Sequence, residues 1–301
     1  MKVVVTGATG FIGRALVAAL RTRGNEVRAL VRDPAEARAQ LGTDAFPWDS
    51  GKPVPADAMA GADAVVHLAG EGIADKRWTA ARKERLRASR VDGTRRVVEA
   101  IRAASPRPKV FVSGSAIGYY GDVPEGDVTE SSPAGKDFLA ELCAAWELEA
   151  KAAESLGVRL VLLRTGIVLG PGGGALGKML LPFKLGAGGP MGSGKQWMSW
   201  IHLDDEVGLI LHALDTAAIT GAFNATAPEP ARNRDFARAL GRAVHRPAIA
   251  PMPGFAMKVL FGEMAGVALL TGQKVLPAMA QATGYRFRHP TLEGALAATL
   301  Q

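Results

Sequence analysis

The first thirteen residues carry the pattern that most restricts how this chain can fold. An apolar, β-branched run at residues 2–5 is followed at once by Gly7, Gly10 and Gly13, and then by helical apolar spacing. In such a βα turn the first glycine makes the tight turn, the second lets a pyrophosphate touch backbone, and the third allows close helix packing. The helix N-terminus would offer free N–H groups and a positive dipole to the phosphates. The pattern predicts a dinucleotide-binding unit, with a purely structural turn as the alternative.

Short apolar runs and segments of helical spacing alternate through the rest of the first two thirds of the chain. Alternation of this kind predicts an α/β protein, a Rossmann fold with a doubly wound parallel sheet. Strand patterns lie at residues 26–31, 64–68, 109–113, 159–164 and 221–225, and helical patterns at residues 11–23, 34–41, 93–104, 138–156 and 207–214.

The composition changes after residue 170. Residues 170–177 and 185–195 are dense in glycine, which is typical either of a flexible linker or of a folded insertion that approaches a ligand closely. The apolar segment between them favours the insertion. Further helices are predicted at residues 235–244, 257–270 and 291–300, and a turn at 273–277. The predicted domains are a Rossmann domain at 1–170, which also receives about 200–228, and a smaller, mostly helical substrate lobe and C-terminal domain at 171–200 and 229–301.

The composition excludes several classes of protein. No apolar run approaches the roughly 20 residues that span a bilayer, and no signal peptide precedes the first strand pattern, so a cytoplasmic protein without membrane contact is expected. The single cysteine, Cys143, excludes an internal disulfide, and its helical surroundings favour a buried structural thiol over a nucleophile. No set of His, Cys and carboxylate residues shows ligand spacing, so no metal site is predicted.

The net charge of +7 is concentrated between residues 76 and 96. Such a basic stretch is typical either of a nucleic-acid patch or of a solvated helix that turns one or two arginines toward cofactor phosphates. Because no nucleic-acid motif accompanies the charge, the helix is the preferred interpretation and nucleic acid is not an expected partner.

The end of the second predicted strand distinguishes the two nicotinamide cofactors. An acidic residue there binds the ribose hydroxyls of NAD, whereas an arginine accommodates the 2′-phosphate of NADP. Here Arg32 comes first, and Asp33 is explained as the N-cap of a helix that begins with Pro34. The sequence therefore favours NADP(H), with Arg32 as an ordinary surface charge as the alternative.

Several motifs together resemble one family over essentially the whole chain. With the glycine loop, they are similar to extended short-chain dehydrogenases/reductases of the nucleotide-sugar epimerase kind, and more narrowly to the atypical "epimerase family" (NAD-dependent epimerase/dehydratase-like) with its small C-terminal domain. The motifs are His-Leu-Ala-Gly-Glu at 67–71, Arg77-Trp78, Ser89-Arg90, Val-Asp-Gly-Thr at 91–94, Gly-Tyr-Tyr at 118–120, Trp146-Glu147, Leu-Arg-Thr-Gly-Ile-Val-Leu-Gly-Pro at 163–171, Trp-Ile-His at 200–202, Gln-Lys-Val-Leu-Pro at 273–277 and Gly-Tyr-Arg-Phe at 284–287.

The resemblance implies an NADP(H) site and a substrate pocket. Trp48 and Asp49 would contact the adenine, Arg32 the 2′-phosphate, and Val168 the nicotinamide, while Arg90 stands where ordinary members carry an asparagine. Gln196 and His202 would lie near the substrate, although a structural role for His202 is equally weighted. The implied cofactor residues are Gly7, Thr9, Gly10, Phe11, Ile12, Gly13, Arg32, Trp48, Asp49, Leu68, Ala69, Gly70, Glu71, Arg90 and Val168.

The catalytic pattern of that family is incomplete here. Ser115 matches the family's serine, but the chain contains no Tyr-x-x-x-Lys, whose spacing would place both side chains on one helix face. Counting back from Arg164 puts Phe138 and Leu142 near the expected positions. Tyr119 or Tyr120 would substitute as the acid, with a packed aromatic pair as the alternative. Lys136, Asp137 and Glu141 also lie near the site by position, and none is preferred.

Two functions of different class follow. The first is an NADP(H)-dependent oxidoreductase or epimerase acting on a polar small molecule such as a nucleotide sugar. The second is a non-catalytic NADP(H)-binding or sensing module that acts through a protein partner, in line with the label of cell-division regulator that some relatives carry. The missing Tyr and Lys favour the second, and the cofactor loop with Ser115 favours the first. The sequence leaves a homodimer open.

Overall fold

Strands and helices alternate through the first part of the chain, in a computed structural model that describes residues 1–300. The elements are β1 (Lys2–Thr6), α1 (Phe11–Thr22), β2 (Glu26–Val31), α2 (Pro34–Leu41), β3 (Asp44–Pro47), α3 (Ala56–Met59), β4 (Ala64–His67), α4 (Ala80–Ala103) and β5 (Val110–Ala116). The expected order of strand, glycine turn and helix at the start of the chain is confirmed.

The alternation continues, and several of the strands in this part of the chain are short and pair outside the main sheet. The elements are β6 (Val123–Val128), α5 (Phe138–Lys151), β7 (Arg159–Thr165), β8 (Ile167–Leu169), α6 (Gly174–Lys184), β9 (Trp197–Met198), β10 (Trp200–His202), α7 (Leu203–Asp215) and β11 (Gly221–Ala225). Short 3₁₀ turns follow β5 at Ile117–Tyr120 and α5 at Glu154–Leu156.

The last quarter of the described chain is mainly helical. Its elements are β12 (Ala231–Arg232), α8 (Asn233–Ala243), α9 (Gly254–Phe261), β13 (Gln273–Val275), α10 (Ala278–Ala282) and α11 (Leu292–Leu300), with a π-helical turn at Ala265–Leu269.

Seven strands form one parallel sheet in the order β11-β7-β5-β4-β1-β2-β3. Each neighbouring pair is parallel, and β1 lies between β2 on one side and β4 on the other. The direction of winding reverses at β1, so the crevice at the carboxyl ends of β1 and β4 is the place where a doubly wound sheet binds ligands. The predicted Rossmann fold is confirmed.

Helices cover both faces of the sheet because alternate residues of each strand point to opposite sides. Val3 and Val5 of β1 pack with apolar residues of α1 and α7. Val4, between them, packs on the other face with residues of α4 and α5. All three valines are fully buried, and this two-sided burial holds the carboxyl end of β1 in place under the glycine turn.

Three two-stranded sheets and a separate apolar cluster lie beyond the main sheet. β8 pairs with β10, β9 with β12, and β6 with β13. The cluster packs Trp200 and Phe236 with residues of α6, α8 and α11. The glycine-rich stretch after residue 170 is thus a folded insertion that contains α6 and not a flexible linker.

Four predicted elements differ from the structure. The helix predicted at 93–104 begins earlier, at Ala80, because the Thr79 hydroxyl accepts the Arg82 amide and caps it, so α4 includes the basic residues from Arg82 to Arg96. The single helix predicted over 257–270 is wrong, because Gly262 adopts a φ of +63° and ends α9. The turn predicted at 273–277 is a strand, β13, and α5 ends at Lys151 instead of 156.

Within residues 1–300, no helix has both the length and the hydropathy needed to cross a bilayer.

Candidate functional site

The glycine turn after β1 has the geometry that a phosphate site requires. Gly7 has a φ of +67°, and a Cβ there would come within 2.9 Å of the Leu68 and Ala69 backbone. A Cβ on Gly13 would lie 2.1 Å from the Gly7 carbonyl oxygen. Any side chain at Gly7 or Gly13 would therefore push α1 and the loop after β4 away from β1.

The N-terminus of α1 is open. Gly10 is its N-cap and offers no side-chain cap, and the Arg14 amide makes the first helical bond, to the Gly10 carbonyl. Within residues 1–300, the amides of Phe11, Ile12 and Gly13 have no acceptor. Three N–H groups and the positive end of the helix dipole thus converge at the carboxyl end of β1, with Thr9 exposed beside them.

The loop after β4 forms the floor of this crevice. The Thr6 hydroxyl accepts the amides of Leu68 and Ala69, each at 3.1 Å. It also lies 2.7 Å from Nδ1 of His67. Burial lowers the pKa of His67 to about 3, so the imidazole is neutral and fixes β4 to β1 without adding charge.

Arg32 is exposed just beyond β2 and has no ion-pair partner among residues 1–300. The neighbouring Asp33 accepts the amides of Ala35 and Glu36 and caps α2, as predicted. Asp33 is thereby committed to the helix, which leaves the Arg32 guanidinium as the free charged group at this strand end.

The two residues assigned to the adenine end are placed differently. Trp48, directly after β3, is buried and donates its indole N–H to the Lys52 carbonyl. Asp49 is 42% exposed and pairs with Lys52 at 3.1 Å. Asp49 is thus accessible to a ligand, while Trp48 helps to hold the loop that carries it.

Beyond β4, Glu71 and Arg90 lie at the edge of the crevice. The Glu71 carboxylate pairs with Arg82. Arg90 donates to the carbonyl oxygens of Glu71 and Leu86 at 3.0 and 3.3 Å and stacks over the Trp146 ring. A Cβ on Gly70 would lie 3.3 Å from the Arg90 Cζ, so the guanidinium rests against this loop.

Ser115, at the carboxyl end of β5, belongs to a buried polar network. Its hydroxyl donates to Glu147 at 2.7 Å, and Glu147 forms a bidentate ion pair with Arg164 at 2.8 Å. Arg164 also donates to the Tyr120 hydroxyl, which in turn donates to Asn224. The sequence singled out Glu147 and Arg164 only as parts of motifs, because nothing local indicates that a helix and a strand residue 17 positions apart will pair.

The two tyrosines have separate surroundings. They form a T-shaped pair with ring centroids 5.4 Å apart, and Tyr120 is almost fully buried in the network above. Tyr119 is only half-buried, lies under the Arg164 guanidinium at 3.5 Å, and its hydroxyl has no hydrogen-bond partner within residues 1–300. Of the pair, Tyr119 is the one with a hydroxyl available to a ligand.

Leu139 and Cys143 of α5 lie next to Gly118, in the turn that follows β5. A Cβ on Gly118 would lie 3.2 Å from Cβ of Leu139 and 3.9 Å from Sγ of Cys143, so these are the residues, again four apart, that face it. Burial raises the pKa of the Cys143 thiol to about 12, which confirms a buried, neutral thiol. Asp137 caps α5 through the Ala140 amide, and Lys136 and Glu141 are exposed.

Val168 and Phe11 lie on the side of the crevice that faces the glycine-rich insertion. Val168 is buried in β8. The Phe11 ring packs so closely that a Cβ on Gly173 would come within 2.6 Å of it. The insertion therefore packs against the side chain of Phe11, the first residue of α1.

Gln196 and His202 lie in different environments and share no partner. Gln196 donates to the carbonyls of Met191 and Leu269, and its own carbonyl oxygen is buried without a partner in the described chain. His202 accepts the Asp204 amide as the N-cap of α7 and stacks on His289 at 3.9 Å. Gln196 thus has a free acceptor, and His202, although it caps α7, also has a buried Nε2 without a partner in the described chain.

Within residues 1–300, one group of donor side chains is compact enough to hold an ion: His202, Asp204 and His289. The sequence did not suggest it, because His289 lies 85 positions from Asp204. The Nδ1 of His202 already accepts a helix amide, and His289 already lies at hydrogen-bond distance from Asp204, whereas Nε2 of His202 is buried without a partner in the described chain.

Comparison with known proteins gives consistent family matches. The model of the NAD dependent epimerase/dehydratase family matches residues 3–225, and that of a domain of unknown function, DUF1731, matches residues 252–299. The epimerase family protein SDR39U1 homolog, chloroplastic, of Arabidopsis thaliana is 44% identical over 312 residues, covering 100% of this chain and 87% of the relative.

Two solved structures are similar to this chain over its whole length. The crystal structure of the human epimerase family protein SDR39U1 (isoform 2) with NADPH has a TM-score of 0.89 at 38% identity and is covered to 99%. The nucleoside-diphosphate sugar epimerase from Corynebacterium glutamicum has a TM-score of 0.80 at 34% identity, and 58% of that longer chain is covered.

Proposed function

Since this chain belongs to the NAD dependent epimerase/dehydratase family and ends in a DUF1731 domain, we propose that it is an NADP(H)-dependent oxidoreductase or epimerase. Its substrate is a polar small molecule. The observation that most directly supports NADP(H) binding is the open N-terminus of α1. Its three unpaired amides lie at the point where the winding of the sheet reverses.

Arg32 supports NADP(H) over NAD(H). Its guanidinium is exposed at the end of β2 and unpaired within the described chain, while Asp33, which would bind the ribose hydroxyls of NAD, is used as a helix cap. An arginine can hold a phosphate through two parallel hydrogen bonds. The human relative solved with NADPH agrees with this assignment.

We predict that the purified protein binds NADPH more tightly than NADH and that Arg32→Ala removes most of this difference. The loss of a charged hydrogen-bond pair should weaken NADPH binding about 10-fold to 100-fold and leave NADH binding nearly unchanged. Nicotinamide fluorescence in a titration of each variant with each cofactor measures this.

The matched control is Arg102→Ala, because Arg102 is also exposed but lies in the last turn of α4, before β5 begins. It should bind both cofactors as the wild type does. Binding of neither NADPH nor NADH by the wild type would contradict the proposed function, and an unchanged NADPH preference in Arg32→Ala would contradict the role of Arg32.

For the chemistry, we propose Ser115 and Tyr119 as the groups that meet the substrate. NADP(H), when bound, would supply or accept a hydride. The Ser115 hydroxyl donates its hydrogen bond to Glu147, so the lone pairs of its oxygen are left to accept from a substrate hydroxyl. Tyr119 has an uncommitted hydroxyl and would move the proton. The substrate would lie between the Rossmann part, residues 1–170 and 200–228, and the lobe formed by 171–200 and 229–301, which carries Gln196.

Nucleotide sugars are the first substrates to screen, because the Corynebacterium glutamicum relative is named a nucleoside-diphosphate sugar epimerase. With a substrate in hand, Tyr119→Phe should abolish turnover without changing NADPH affinity. Ser115→Ala should also lower turnover. Unchanged turnover in Tyr119→Phe would remove it from the mechanism.

A non-catalytic NADP(H)-binding module is the second candidate. It is favoured by one observation: the α5 positions that face Gly118 carry Leu139 and Cys143, and neither can transfer a proton near neutral pH. Tight NADPH binding, with neither net oxidation of the cofactor by a carbonyl substrate nor epimerisation of a sugar substrate, would select this function. Turnover with any of them would exclude it.

A further inference from the structure

We propose that Arg90 binds the nicotinamide half of the dinucleotide and supplies the positive charge that α5 lacks. This inference rests on the proposed NADP(H) function and assigns one cation to one half of that ligand.

The Arg90 guanidinium is a charge without a counter-ion. The carboxylate of its neighbour Glu71 pairs with Arg82, and the part of Glu71 that Arg90 contacts is the main-chain carbonyl, at 3.0 Å. No carboxylate within residues 1–300 forms an ion pair with it. Burial lowers the pKa of Arg90, so a cation is held where desolvation opposes its charge, and an oxygen-rich ligand would offset that cost.

The position of Arg90 in the fold indicates which half of the ligand it meets. The two halves of a doubly wound sheet each bind one mononucleotide of a dinucleotide. Arg32 follows β2, on one side of β1, and Arg90 lies against Gly70 in the loop after β4, on the other side. If Arg32 holds the adenosine phosphate, Arg90 faces the nicotinamide mononucleotide.

The hydrogen-bonding capacity of Arg90 fits that ligand. A guanidinium has five N–H donors, and the structure uses two of them, on the carbonyls of Leu86 and Glu71. The remaining donors match ribose hydroxyl and phosphate oxygens. Leu139 and Cys143, on α5, provide no cation for this place.

A cation at this place also has a redox consequence. The nicotinamide ring is positively charged in NADP⁺ and neutral in NADPH, so Arg90 repels only the oxidised ring. The wild-type protein should therefore bind NADPH more tightly than NADP⁺, and removal of the charge should narrow that difference. A residue that merely supported the fold would change both affinities alike.

The test compares NADPH, NADP⁺ and 2′,5′-ADP, which lacks the nicotinamide half, by calorimetry on the full chain. Arg90→Met should weaken NADPH binding about 10-fold to 100-fold and leave 2′,5′-ADP binding unchanged. Arg32→Ala should weaken the binding of both. The control is Arg87→Met, because Arg87 is exposed on the same helix, and it should bind all three ligands as the wild type does.

Three outcomes would overturn the inference about Arg90. Unchanged NADPH affinity in Arg90→Met would exclude the contact. Equal weakening of NADPH and 2′,5′-ADP would show that Arg90 supports the whole crevice and not the nicotinamide half. An unchanged ratio of NADPH to NADP⁺ affinity would exclude the role of its charge. Failure of the wild type to bind any of the three ligands would instead contradict the proposed function itself.

Discussion

Glu147 determines how Ser115 is presented to the crevice. Its carboxylate accepts from the Ser115 hydroxyl and from Nε and Nη2 of Arg164, and the side chains of the ion pair are only 3% and 5% exposed. Breaking such a pair on one side leaves a buried charge without a partner. Ser115 is thus oriented by an ion pair on α5 and β7, two elements that follow it in the chain.

Replacing Glu147 tests this dependence. Glu147→Gln keeps the shape but removes the charge opposite Arg164, so the free energy of unfolding should fall by about 3 kcal/mol. Urea unfolding measures it. The control is Glu149→Gln, two residues along the same helix, which breaks only the half-exposed pair with Arg95 and should cost less than about 1 kcal/mol. Equal losses in the two variants would contradict the buried role of Glu147.

A buried acid joins helix α7 to strand β7. Glu206 is fully buried in the first turn of α7 and accepts from the Thr165 hydroxyl at 2.8 Å. Burial raises its pKa to about 8, despite that hydrogen bond. The second carboxyl oxygen has no partner in the described chain, so the neutral form is the one that fits between the two elements.

The raised pKa makes stability depend on pH. Between the unfolded value of 4.5 and the folded value of about 8, the folded protein holds a proton that the unfolded chain releases. Stability therefore falls as pH rises through this range. Glu206→Gln is neutral at every pH. Its free energy of unfolding should therefore rise relative to that of the wild type by on the order of 1 kcal/mol per pH unit from about pH 5 to about pH 8.

Urea unfolding of both proteins at several pH values measures this gain. Glu149→Gln is again the control, because its difference from the wild type should not grow over the same range. A constant difference between Glu206→Gln and the wild type would contradict a buried, protonated Glu206.

At the scale of the whole molecule, one aspartate attaches the C-terminal segment to the Rossmann sheet. Asp205, fully buried on α7, accepts the Tyr285 hydroxyl at 3.0 Å and the amides of Arg288 and His289 at 2.8 and 2.9 Å. Gly208 allows this approach, because a Cβ there would lie 2.1 Å from the Tyr285 hydroxyl oxygen. α11 follows directly and completes the cluster around Trp200.

Asp205→Ala should release this segment. Two part-buried amides and a hydroxyl would lose their acceptor, so the unfolding free energy should fall by about 3 kcal/mol, and hydrogen exchange should accelerate first in residues 285–300. Asp204→Ala is the control, since Asp204 is half-exposed, and it should cost less than about 1 kcal/mol. Equal acceleration over all helices in Asp205→Ala would show that the attachment is not local.

Much of the fold followed from local signals. The glycine spacing at Gly7, Gly10 and Gly13 predicted the turn, and the strand patterns of the first 225 residues predicted six of the seven strands of the sheet. The edge strand β3 was not predicted. Errors arose where a local signal was ambiguous: the start of α4, hidden in a basic stretch before a Thr79 cap, and the break at Gly262. The division into domains and the ligand contacts of the individual residues stay predictions.

Local sequence signals predicted only some of the residues of the candidate site. Arg32 and the loop residues could be named because they occupy fixed places after a strand. That Phe138 and Leu142 lie near the places of the family's tyrosine and lysine stays a prediction, since which face of α5 meets β5 depends on how the helix packs and not on its own residues. The α5 residues nearest to Gly118 are Leu139 and Cys143. The roles of Glu147 and Arg90 depend on contacts between separate elements.

Residues that are neighbours in the chain specify the Rossmann unit, its glycine turn and the arginine at the end of β2, so these could be read without a structure. Packing between separate elements is what binds Ser115 to an ion pair, brings Leu139 and Cys143 of α5 next to Gly118, and sets the Arg90 guanidinium against Gly70 without a counter-ion. Those arrangements arise when helices pack on the sheet, and burial then fixes which charges are paired and which are left for a ligand.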